Sequence, residues 1–152
     1  METSRKKARY QRIIRQLEEQ MHKSTDPDAR MATIIAVLHH KMEYFFWTGF
    51  YCLNKGELIV RTYQGPLACQ ILKKNKGVCW AGINQNKTII VPDVHKFPGH
   101  IACDSRSNSE IVVPFKDKKG RILGVLDVDS TSFNSFDQVD SDNLEKIVRF
   151  IF

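Results

Sequence analysis

A thiol set among turn-forming and cationic residues can act as a nucleophile or a redox centre, and Cys103 has that setting. It lies in residues 92–114, PDVHKFPGHIACDSRSNSEIVVP, where Pro98, Gly99, Ser105, Ser107, Asn108 and Ser109 favour turns over long regular structure. A loop is expected there, and loops on a rigid scaffold often carry chemistry. His95, His100 and Arg106 flank the thiol; cationic or hydrogen-bonding neighbours lower a thiol's pKa and raise its thiolate fraction. The competing reading is inert packing, because free cysteine is among the residues most often buried.

Carboxylates form the second candidate group. Asp127 and Asp129 are two apart in GVLDVDS, which on a strand sends both to the face opposite Leu126 and Val128. A strand this apolar is expected to be central, and acids on its pocket side are partly desolvated, which raises their pKa and links their titrations. Glu110 opens the neighbouring strand SEIVVP and brings a third acid to the same place. Three converging acids suit a positive group, either a substrate ammonium or a metal ion. A solvated sheet face is the alternative. Hard-metal binding has no support from EF-hand spacing or a glycine-rich phosphate loop.

The remaining cysteines, Cys52, Cys69 and Cys79, make no CxxC pair. A disulfide-stapled secreted fold is not expected at this length, and structural zinc lacks its usual short ligand spacing. Several cysteines in a cytosolic chain leave catalytic or redox use as the more interesting possibility beside inert packing.

The elements that must position these groups can be followed along the chain. Residues 4–22 carry Ile13, Ile14, Leu17 and Met21 at three- and four-residue steps, which predicts an amphipathic helix. Asp26 and Pro27 are placed as N-cap and first residue of a second helix to about residue 40, with Met31, Ile34, Ile35, Val37 and Leu38 buried. His39 and His40 near its end suit the negative pole of the helix. FFWTGFYCL and ELIVRTYQG, joined by Asn54-Lys55-Gly56, read as a hairpin. Trp47, Gly49 and Tyr51 share one face and Thr48, Phe50 and Cys52 the other. One face meets the helices; the other is free to line a pocket, with Gly49 allowing close approach between large aromatics. Residues 65–87 show no sustained period and are expected to be irregular with at most short helical turns. TIIVP is a short strand, SEIVVPF and RILGVLDVDS form a second hairpin across residues 116–120, and Asp137 with Asp140 approximates the capping box of a closing helix. Strand pairs with helices at the ends predict an α+β fold: an antiparallel sheet with helices on one face.

The 152 residues, 42% hydrophobic and 26% charged, suit one domain over 1–152 with one core. No run approaches the roughly 18 apolar residues of a membrane span, and the N-terminus lacks a signal-peptide core, so a cytoplasmic protein without membrane attachment is expected. The formal charge of +6 is gathered largely at Arg5, Lys6, Lys7, Arg9, Arg12 and Arg15. Without aromatic interleaving or a nucleic-acid motif this reads as a solvated helix face, and no nucleic-acid partner is expected.

WTGFY, the cysteines at 69 and 79, VPDVHKFPGHIACDSRSNSEIVVP and GVLDVDSTSFNSFD together closely resemble the single-domain GAF proteins that are free methionine-(R)-sulfoxide reductases, from about residue 31 to the C-terminus. The resemblance implies a GAF fold with terminal helices on one side of a central antiparallel sheet and an enclosed pocket on the other. It implies that Cys103 is catalytic, that Cys69 recycles it, and that Cys79 has an auxiliary role or replaces Cys69. By the same resemblance Glu110, Asp127 and Asp129 bind substrate, and Trp47 and Tyr51 are pocket aromatics. Where members usually show GRGVCG this chain has NKGVCW, with Trp80 in place of glycine. The implied activity is thiol-dependent reduction of free methionine-(R)-sulfoxide through a sulfenic acid and an intramolecular disulfide, reset by a thioredoxin-like dithiol, without a cofactor or metal. Thiolate attack on sulfur needs a proton for the departing oxygen, and an acid of raised pKa suits that task. The alternative from another class is a GAF module that senses a small molecule without chemistry. Oligomeric state stays open, a homodimer being one option.

Overall fold

The computed structural model describes residues 1–100 and 103–152; Ile101 and Ala102, the centre of the GHIACD motif, lie outside the described residues. The elements run α1 (Thr3–Met21), α2 (Pro27–Lys41), β1 (Trp47–Asn54), β2 (Glu57–Gln64), β3 (Ile71–Leu72), α3 (Gly77–Gln85), β4 (Ile89–Val91), β5 (Ser109–Lys116), β6 (Ile122–Ser130) and α4 (Gln138–Val148), with short 3-10 turns at Val94–Lys96 and Arg149–Ile151. The strands form one six-stranded sheet in the order β3-β2-β1-β6-β5-β4, and each neighbouring pair is antiparallel. This is the expected α+β architecture.

Two packed layers separate at the sheet. On one face Tyr10, Ile13 and Leu17 of α1, Met31, Ile34, Ile35 and Leu38 of α2, and Leu144, Ile147 and Val148 of α4 meet Phe50, Ile111, Val113, Leu126 and Val128. Burial of these stripes, rather than helix propensity, is what holds the helices. Local signals set their ends: Asp26 accepts from the Ala29 N–H at 2.9 Å with Pro27 in the first turn, and Asp137 with Asp140 forms a complete capping box. His39 Nδ1 lies 3.0 Å from Thr48 Oγ1, tying α2 to β1.

Lys6 departs from the expected solvated face. It is buried, and its Nζ donates to Asp140 Oδ2 at 2.7 Å and to the Ser135 carbonyl at 3.2 Å. Tyr10 and Tyr44 hydroxyls donate to Asp140 Oδ1 at 2.7 and 2.5 Å. The capping acid of α4 is thus also the counter-ion that docks α1, a long-range pairing that charge spacing along one helix does not reveal.

Residues 65–87 also depart from expectation, because α3 is a regular nine-residue helix. It packs on the sheet face opposite the other helices, with Val78, Cys79 and Trp80 in a second core beside Trp47, Tyr51, Val112 and Val125. Gly82 permits the approach: a Cβ there would meet Val112 Cγ1 at 2.8 Å. Two glycines lower the intrinsic helix propensity, and nearly the whole front of the helix is buried, so no amphipathic stripe appears.

Candidate functional site

The second face of the sheet is built in cross-strand rows. Trp47 of β1 stands opposite Asp129 of β6, which stands opposite Glu110 of β5; in the next row Gly49, Asp127 and Val112 are aligned. The two-residue period therefore brings all three acids to one side, away from Leu126 and Val128 in the helical layer. Above them lie the loop before β3, the first turn of α3 and the loop before β5, which carry Cys69, Cys79 and Cys103. A cavity of about 50 Å³ is lined by the three acids, Trp47, Tyr51, Cys79, Cys103, His100 and Asp104, but not by Cys69. A single water needs about 10–15 Å³ on this scale.

A disulfide joins Cys69 to Cys103, with Cα atoms 5.5 Å apart. Cys79 and Cys52 are free thiols. Cys79 is buried against the acids, while Cys52 packs partly buried on the helical side.

The loop that carries Cys69 is held from both ends. Tyr51 donates to the Cys69 carbonyl at 2.9 Å and Trp47 Nε1 to the Pro66 carbonyl at 3.1 Å. The two rings stack with centroids 5.8 Å apart, and Trp47 stacks on Tyr63 at 5.2 Å. This arrangement lies over Gly49, where a Cβ would come within 2.5 Å of both the indole and Tyr63 Cβ. Trp80 Nε1 points to the Leu72 carbonyl at 3.4 Å, so this indole fixes the far end of the same loop from within the core.

The three residues flanking Cys103 differ in what they touch. Arg106 forms a two-pronged pair with Asp104 at 3.0 and 2.7 Å and lies 4.9 Å over the Phe46 ring. Hydrogen bonds from Arg106 hold Asp104 down to about 2. His95 Nε2 is 2.9 Å from Asn108 Oδ1. Only His100 of the three lines the cavity; burial, then His95, pushes its pKa down, so it is held toward the neutral form.

Burial dominates the acids' electrostatics. Glu110 is pushed well up by desolvation, then by Asp127 and Asp129. Asp129 is pushed well up by desolvation, then by Asp127 and Asp104. Asp127 is also raised by burial, but hydrogen bonding from Glu110 and Cys79 opposes the rise. Burial thus favours the protonated form at all three acids, and hydrogen bonds oppose it at Asp127. Asp127 Oδ1 is buried with no hydrogen-bond partner among the described residues, a costly state that a cationic guest would relieve. Cys79 is raised by burial, then by the three acids, and stays a thiol. Its sulfur and carboxylate oxygens of Glu110 and Asp127 lie within 4.8 Å of one another, the one group among the described residues with ligand spacing for a metal.

Sequence reasoning placed the acids and aromatics on the correct face but passed over Tyr63, Asp104 and Lys76. Tyr63 had a signal: it stands directly across from Gly49, and a large ring often covers a strand glycine from the partner strand. Lys76 and Asp104 reach the cavity through loop geometry, which carries no sequence period.

No family model matches the chain. Among curated proteins it is 44% identical over 147 residues to GAF domain-containing protein A of Dictyostelium discoideum, covering 96% of this chain and 92% of that protein. It is 41% identical over 120 residues to the free methionine-R-sulfoxide reductase of Escherichia coli, covering 79% and 72%. Among solved structures, the free methionine-R-sulfoxide reductase of Neisseria meningitidis in complex with its substrate superposes with a TM-score of 0.91 at 38% identity, covering 96% of this chain and 87% of that one.

Proposed function

Since the chain belongs to the GAF-fold free methionine-R-sulfoxide reductases and is accordingly an oxidoreductase, we propose that it reduces free L-methionine-(R)-sulfoxide with Cys103 as nucleophile and Cys69 as resolving thiol. The observation that carries this is the Cys69–Cys103 disulfide beside a cavity lined by three acids, two of them buried. The substrate ammonium sits against Asp127 and its neighbours, satisfying the orphaned Oδ1. Trp47 and Tyr51 offer the flat apolar surface for the methylthio end.

In the reduced protein the Cys103 thiolate attacks the sulfoxide sulfur. Glu110 or Asp129, each holding its proton through burial, protonates the departing oxygen. The oxygen leaves as water after a second proton from solvent, leaving a Cys103–sulfonium S–S bond. Water then attacks the Cys103 sulfur, the S–S bonding pair departs with methionine, and Cys103 is left as a sulfenic acid with release of one proton. The Cys69 thiol then attacks that sulfur, water departs, and the disulfide forms. An external dithiol of the thioredoxin kind resets the pair by exchange, which fits a reducing cytoplasmic setting and a single GAF domain over residues 1–152. Cys79, deep and held neutral, takes no part in the exchange and instead hydrogen-bonds toward Asp127. A cavity that engages both the ammonium and the side chain selects the free amino acid over the same residue within a peptide.

The experiment is thioredoxin-coupled turnover with free (R)-sulfoxide, free (S)-sulfoxide and a peptide-bound sulfoxide offered separately. Turnover is expected on the free (R) form alone. Cys103→Ser should abolish it, and Cys69→Ser should release about one methionine per protein and stop. Sustained turnover by Cys103→Ser would overturn the assignment.

A further inference from the structure

Cys79 is a buried thiol for which the proposed reduction has no redox task, and it sits against two buried carboxylates that come from different elements. Its sulfur, on the first turn of α3, lies within 4.8 Å of ligand oxygens of Glu110 on β5 and Asp127 on β6, and these two oxygens are as close to each other. All three residues are at most 5% exposed. Asp127 Oδ1 has no hydrogen-bond partner among the described residues, so the cluster contains a buried acceptor free to take a ligand. Three ligands on a helix and two central strands are held more rigidly than ligands on loops.

We propose that Cys79, Glu110 and Asp127 form a site for a thiophilic divalent cation of the zinc class, and that its occupancy closes the pocket to substrate. The donor set selects the class. One thiolate with two carboxylates favours zinc over magnesium or calcium, which take oxygen ligands. Zinc binds thiolate sulfur at about 2.3 Å and carboxylate oxygen at about 2.0–2.2 Å, so closing this triad onto an ion needs side-chain shifts of about 1 Å. The fourth position faces the cavity, where Asp129 or a water completes a tetrahedron. Binding changes no oxidation state: the ion replaces the proton of Cys79 and those held by the carboxyls, which pass to solvent. One thiolate and two carboxylates offset the charge of a divalent ion with one negative charge in excess, so the site needs no further anion.

The site uses neither Cys69 nor Cys103, so the disulfide form retains it. Closure of the pocket follows because the same acids are assigned to the substrate ammonium, and this half rests on the function proposed above. Metal binding itself does not.

Cobalt tests both halves, because a cobalt–thiolate bond produces charge-transfer absorption in the near ultraviolet. The oxidised full chain, titrated with cobalt, should give a saturable one-to-one band that zinc displaces. Cys79→Ser should remove the band and Glu110→Gln should weaken binding at least tenfold, while Cys52→Ser should leave it intact. No band at a large excess of cobalt, or a band that survives Cys79→Ser, would overturn the site. In a Cys69→Ser, Cys103→Ser protein, which cannot turn over, free methionine-(R)-sulfoxide should raise the apparent dissociation constant for cobalt. A Cys79-dependent band indifferent to the sulfoxide would uphold the metal site and overturn the substrate placement on which closure rests.

Discussion

Glu110 illustrates at the scale of one residue how a functional site opposes stability. An unfolded glutamate titrates near its ordinary value of about 4.3, whereas desolvation and two neighbouring aspartates hold Glu110 well above it. Between those two values the native protein binds more protons than the unfolded chain, so its stability falls as pH rises through that window. Below the unfolded value both states are protonated and the penalty is absent. Glu110→Gln, neutral throughout, should therefore stabilise the ligand-free protein at pH 7 by about 1–3 kcal/mol and change it little near pH 3. Urea midpoints at the two pH values check this; equal effects at both would show that desolvation of the acid is not the source. In the proposed mechanism the same substitution removes a proton donor and an ammonium partner, so kcat/KM should fall by about 10²-fold or more. Stability gained with activity lost is the signature of a site kept at a cost.

At the scale of elements, the first hairpin presents Trp47 and Tyr51 to the pocket and also ties down the Cys69 loop through the Pro66 and Cys69 carbonyls. Gly49 makes this possible, since a Cβ there would lie 2.5 Å from the indole and from Tyr63 Cβ. Gly49→Ala should cost about 1–3 kcal/mol through overpacking. It should also slow closure of the Cys69–Cys103 disulfide by about tenfold through misplacement of the second thiol. Rapid-quench comparison of methionine release with thiol loss separates the steps, and equal slowing of both would mean that Gly49 shapes the pocket rather than the loop. The hairpins and the α1, α2 and α4 helices are legible in the sequence because each is half-buried, and a half-buried element writes its period into its residues. The acids are legible for the same reason: Asp127 and Asp129 interrupt an otherwise apolar strand on alternate positions. Helix α3 is not legible, because burial of Val78, Cys79, Trp80 and Gly82 together erases the stripe. Trp80 stood out in the sequence only as a departure in NKGVCW, and its bond to the Leu72 carbonyl depends on a helix the pattern does not show.

Across the whole molecule the sheet divides labour between its faces. Chemistry-bearing groups occupy the α3 side, whereas the cluster of Lys6, Tyr10, Tyr44 and Asp140 lies in the other layer and fastens α1 to α4. Nothing in that cluster lines the cavity, and the strands between the two layers carry Phe50, Leu126 and Val128 packed into the helical core. Breaking the cluster should therefore change stability without changing chemistry, the reverse of Glu110→Gln. Lys6→Ala leaves Asp140 buried beside two hydroxyls without its cation, and removal of one partner of a buried pair costs about 3–5 kcal/mol. Reductase kinetics, measured where the variant is still folded by circular dichroism, should stay within about twofold of the parent, since less than about 0.5 kcal/mol is expected to reach the pocket across a separation with no shared partners. A large fall in kcat/KM at full folding would show that docking of α1 is transmitted through the sheet to the acids. Their rows in β6 and β5 would then be set by the helical layer as well as by strand register.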